Sequence, residues 1–80
     1  MEKNFFYVVL VTFADLSKCS VNTIVAGHSE SKDDAVDILK YEYKDLLKEG
    51  YDKALFSHTR WGWKYISEDL IISCEIHVLK

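Results

Sequence analysis

SKDDAVDILKYEYKDLLKEGY, Ser31 to Tyr51, is the stretch whose reading decides the fold. It reads as a helix with signals at both ends. Ser31 suits the N-cap, and Asp34 stands where the reciprocal acid of a capping box sits. Asp33, Asp34 and Asp37 place negative charge at the start, and Lys44 and Lys48 place positive charge toward the end, as the helix dipole favours. Gly50 is a natural C′ residue, and Tyr51 can fold back on Leu46 or Leu47 as in a Schellman motif. Ala35, Ile38, Leu39, Glu42/Tyr43, Leu46 and Leu47 recur at helical spacing, so one stripe is expected to be buried.

The flanking blocks read as strands. Asn4 to Phe13 is apolar on both alternating faces: Phe5, Tyr7, Val9, Val11 and Phe13 on one, Phe6, Val8 and Leu10 on the other. Such a strand is expected to be central and covered on both sides. One helix covers only one face, so the other calls for a loop, sheet curvature or a second subunit. Ala14 to Ser20 reads as a polar hairpin loop and Val21 to Gly27 as the returning strand. After the helix, Asp52 to His58 is ambiguous, with Lys53 to Phe56 suited to a short strand. Thr59 to Ile66 reads as a strand, Ser67 to Asp69 as a turn and Leu70 to Leu79 as the clearest strand of all. In that last strand Leu70, Ile72, Cys74, Ile76 and Val78 face one way. Thr59 to Leu79 is therefore expected to form a β-hairpin. The order β-β-α-β-(β)-β predicts one α+β domain over residues 1–80, a small curved antiparallel sheet with one helix packed on a face.

At 80 residues and 49% hydrophobic composition, the chain is apolar enough for a compact core. That core is small, so an added source of stability such as a homodimer interface fits the size. No proline occurs, which removes one common guard against pairing between sheet edges. The net charge of −3 argues against a general nucleic-acid binder, which is more often basic. The apolar run Phe5 to Val11 is shorter than the roughly 20 residues of a spanning helix. Asp15 follows it without a cleavage pattern. Cys19 and Cys74 are the only cysteines, read as free thiols of a reducing compartment. The expectation is a soluble cytoplasmic protein with no membrane partner.

No constellation for bond-making stands out. His28, His58, His77, Cys19 and Cys74 lack zinc spacing, so neither a metal nor another cofactor is expected. The hairpin reading brings Cys19 and His28 close, but no signature of an orienting group or oxyanion hole accompanies them. Asp33/Asp37 and Asp45/Glu49 read as the solvated face of the helix. Gly27, Gly50 and Gly62 are too dispersed for a phosphate loop. The chain is read as a non-enzyme.

The most distinctive run is His58-Thr-Arg-Trp-Gly-Trp-Lys-Tyr65. On a single strand, Trp61, Trp63 and Tyr65 share one face while Arg60 and Lys64 point to the other. Three readings follow. The aromatics pack under the helix; they form a protein interface with Arg60 and Lys64; or they stack on bases of a single-stranded nucleic acid. The run resembles the basic–aromatic strand of cold-shock domains, a likeness confined to this segment, since those barrels have no central helix. Charge is uneven: Glu30 to Asp52 holds eight acids against four lysines, whereas Lys53 to Tyr65 holds three basic residues and no acid. Such a dipolar surface favours docking on a copy or on a charged partner. The preferred expectation is a protein-binding module, homodimeric, with Arg60, Trp61, Trp63, Lys64 and Tyr65 as the binding residues. Small acidic α+β chains without motifs resemble in style the inhibitors and adaptors of bacteriophages and mobile elements. The alternative is single-stranded nucleic-acid binding through Trp61, Trp63 and Tyr65.

Overall fold

A computed structural model describes residues 5–79, so Asn4, the expected start of the first strand, lies outside them. The elements are β1 (Phe6–Asp15), β2 (Ser20–Ser29), α1 (Lys32–Lys48), β3 (Phe56–Thr59), β4 (Gly62–Ile66) and β5 (Leu70–Leu79), with a 3₁₀ turn at Lys53–Leu55. All pairings are antiparallel, in the order β2-β1-β5-β4-β3. This is the α+β arrangement the sequence predicts, with β1 an interior strand between β2 and β5 and β5 at the centre. No helix among the described residues is long and apolar enough to cross a membrane.

The helix ends where its caps place it. The Ser31 side chain accepts from the Asp34 amide at 3.4 Å. The reciprocal half of the box differs from expectation, because an aspartate is short: the Ser31 amide donates to Ser29 Oγ at 3.0 Å, and that hydroxyl donates to Asp34 Oδ2 at 3.2 Å. Ser29 thus relays what a glutamate would do directly. At the other end Gly50, at φ +103°, donates to the Leu47 carbonyl, and the Tyr51 amide donates to that of Leu46. Those two bonds are the Schellman pattern.

Ala35, Leu39 and Leu46 of α1 pack on Val9, Val11, Ile72, Cys74, Ile76, Trp63 and Tyr65, and together these form the core. The helix crosses the sheet obliquely. Its start is tied to the end of β2 through Ser29, and Ile38 lies over Gly27. Further along, Tyr43 meets Phe56 edge-on, with ring centroids 5.0 Å apart. A helix of 17 residues is about 25 Å long, whereas ten-residue strands reach about 33 Å. The start of β2 therefore lies beyond it, and only its first half approaches the turn between β3 and β4.

Two expectations are corrected here. Thr59 to Ile66 is not one strand: Arg60 and Trp61 form a two-residue turn between β3 and β4, and Thr59 pairs with Gly62. The region is a three-stranded meander rather than one hairpin. The first hairpin is also tighter than its polar loop implies, because β1 runs on to Asp15 and β2 starts at Ser20. Asp15 Oδ1 accepts from the Ser17 amide, the Ser17 hydroxyl and the Lys18 amide, closing the turn locally. The Ser17 hydroxyl is the main reason its carboxyl is held below the usual range.

Candidate partner-binding groove

The turn correction divides the five expected binding residues. Trp63 and Tyr65 of β4 face the helix and are buried, Trp63 to 3% exposure. The Trp63 indole N–H donates to the Leu39 carbonyl at 3.0 Å, so its polar atom is satisfied inside the core. Lys64 lies on the opposite, helix-free face, beside Ser57 and Ser73 of the neighbouring strands. Arg60 and Trp61 sit in the turn itself and are exposed. Trp61 does not share a strand face with the other two aromatics, and at 39% exposure it lies at the surface with the Lys32 ammonium 4.7 Å from its ring centroid. The platform of three aromatics that single-strand stacking would need is thereby reduced to Trp61.

The structure joins Arg60 and Trp63 to helix residues that the sequence did not place beside them. A groove of about 160 Å³ runs between the first half of α1 and the β3–β4 turn. Val36, Leu39 and Tyr43 form its helical wall, Trp63 its floor, and Lys40, His58 and Arg60 its rim. Tyr43 stands edge-on to His58, with centroids 4.9 Å apart, and the Tyr43–Phe56–Trp63 cluster stiffens the wall. No carboxylate lines this groove. Among the described residues neither Lys40 nor Arg60 has an ion-pair partner; the one close pair is His77 with Glu75 at 3.9 Å. Tyr43 belongs to the expected apolar stripe, and Lys40 lies within the expected helix. What placed them beside Arg60 is the oblique crossing, which no local pattern encodes.

Other polar residues are scattered. Cys19 lies in the first turn at φ +51°, and His28 stands near the far end of β2, about 30 Å along that strand, so the two do not meet. His28 instead lies against Phe6, with centroids 5.1 Å apart. Cys74 is fully buried, and burial first, then the charges of Glu42 and Glu75, push its thiol up to about 12. Burial likewise raises Glu42, with Asp45 adding to the shift. Both cysteines are free thiols. Among the described residues, no group of three His, Cys, Asp or Glu side chains is placed to hold a metal ion.

A second surface is the β2 edge. Its sequence, SVNTIVAGHS, contains no acid, lysine, arginine or proline. Val21 is 72% exposed, Val25 60% and Ile24 46%. The register with β1 puts Ile24 on the helix side, opposite Val11, and Val21 and Val25 on the helix-free side, opposite Ala14 and Leu10. A bulge between Val9 and Leu10 leaves Ala26 without a partner in β1. From Ser20 to Val25 the edge is regular. No known family, curated protein or solved structure matches this chain.

Proposed function

We propose that this protein is a non-catalytic protein-binding module that assembles as a homodimer through β2. The observation that carries this reading is the β2 edge. An edge strand presents unpaired N–H and C=O groups, and proteins blunt such edges with charges, prolines or bulges. Here the only such device is the bulge at Ala26, and the stretch before it is uncharged and mostly β-branched, with Val21, Ile24 and Val25 exposed. Two copies of such a strand pair antiparallel about a two-fold axis, each using the same patch. β2 itself carries no acid, so the net charge of −3 does not oppose the contact strongly. Exposed Ile24 on one side and Val21 and Val25 on the other are covered along with the edge.

The absence of a catalytic role draws its support from where the reactive groups are. The Cys74 thiol is held neutral by burial, and His58 is packed edge-on against an aromatic ring. The dimer leaves the Arg60–Trp61 corner free, because it lies on the far side of the sheet from β2.

Light scattering on the purified chain tests the proposal. The expected mass at micromolar concentration is that of two chains. Ile24 lies close to the middle of β2, so most of the overlapping registers bring it near its own copy. Ile24→Lys and Ile24→Glu should each give a monomer, and mixing them should restore the dimer. A monomeric wild type, or a Lys variant that still dimerises, would sink the reading.

A further inference from the structure

We infer that the groove between α1 and the β3–β4 turn is a socket for one aromatic side chain, carried by an acidic segment of a partner protein. The inference deepens the binding-module reading and rests on it, but it concerns the opposite end of the sheet. Size is the first argument. About 160 Å³ is well below the roughly 300–1,000 Å³ of pockets that hold drug-sized ligands. It is close to the roughly 150 Å³ of an apolar cavity known to accept benzene. The groove thus takes one phenyl-sized group.

The lining is the second argument. Val36, Leu39, Tyr43 and Trp63 are apolar or aromatic toward the groove, and the one polar atom of the floor, the Trp63 indole N–H, is already bonded to Leu39. A guest ring loses water here without leaving that donor unpaired. Charge is the third. Lys40 of the helix, Arg60 of the turn and His58 of β3 all line the groove, and no carboxylate answers them in the lining. Lys32 lies just beyond, over Trp61. On a chain whose net charge is −3, such an unanswered cationic rim selects acids flanking the guest ring. The fourth is β3 itself, the outer strand of the sheet on this side, whose free edge can take the backbone of an extended segment. Main-chain bonds then supply affinity, and the socket supplies specificity.

The test is an NMR titration of isotopically labelled full-length chain with three blocked pentapeptides. One is acetyl-Glu-Glu-Phe-Glu-Glu-amide; the second has lysines for the glutamates; the third has alanine for the phenylalanine. The expected result is saturable shifts of the Lys40 and Gly62 amides and of the Trp63 indole N–H with the first peptide only. Arg60→Glu should weaken that binding about tenfold or more. Lys40→Glu, at an exposed helix position that keeps the fold, should do the same, and the spectrum itself reports folding. Absence of saturable shifts, or equal binding of the lysine or the alanine peptide, overturns the socket. Light scattering on the same samples separates the two proposals: lost peptide binding with an intact dimer removes the socket alone, and peptide binding by a monomer removes the dimer alone.

Discussion

At the scale of single residues, the tightest constraint is Gly62. A Cβ built there would lie 2.0 Å from the Cys74 carbonyl oxygen, a backbone atom on the paired strand. Nothing can rotate aside, so Gly62→Ala must push β4 away from β5. The expected loss is about 2 to 4 kcal/mol, read as a lower urea midpoint; a midpoint within error of wild type would refute the close approach. From sequence alone Gly62 looked like an ordinary strand interior, because what crowds it comes from a strand paired only in the fold. Cys74 gives a second prediction. Its thiol is raised from an ordinary 9.0 to about 12, so the folded state holds the proton more tightly than the unfolded chain. The stabilisation is fully present below pH 9 and is lost as pH rises toward 12. Relative to Cys74→Ala, the wild type should lose stability more steeply across that interval, and parallel curves would contradict the assignment. At neutral pH, maleimide should label Cys19 in the native protein and reach Cys74 only on unfolding.

At the scale of elements, the helix was legible because its signals are local. Ser31, Gly50 and the apolar stripe each act within a turn or two of the chain. Gly50 stands at φ +103° with open space around it, so an added methyl meets strain and no clash. Gly50→Ala should cost about 1 kcal/mol, visible as a fall in melting temperature, and Gly50→Asn should cost less. An unchanged melting temperature for the alanine variant would argue against the left-handed cap. The β3–β4 turn was not legible, because Arg60 and Trp61 are neither glycine nor asparagine and neither has positive φ. The aromatic alternation was read correctly for Trp63 and Tyr65, which do face the helix. It failed at Trp61, where the chain reverses. The candidate site therefore emerged only when the turn brought Arg60 beside Lys40 and Tyr43.

At the scale of the molecule, a single oblique helix explains both surfaces. Running across the sheet from the end of β2, it forms the groove with the β3–β4 turn along its first half and leaves the start of β2 uncovered. The sequence hinted at the second through an apolar β1 and the lack of proline, but which edge stayed open depended on strand order, a property of the whole chain. Dimerisation through β2 is the central claim, and amide hydrogen exchange along Ser20–Ser29 tests it most directly. In a monomer, amides on the outer side of β2 exchange with solvent at once. In the dimer they are bonded to the second copy. The account predicts that, as concentration rises, outward amides between Ser20 and Val25 become protected to the level of β1, while those of β3 stay unchanged. Rapid exchange of the β2 amides at every concentration would contradict it.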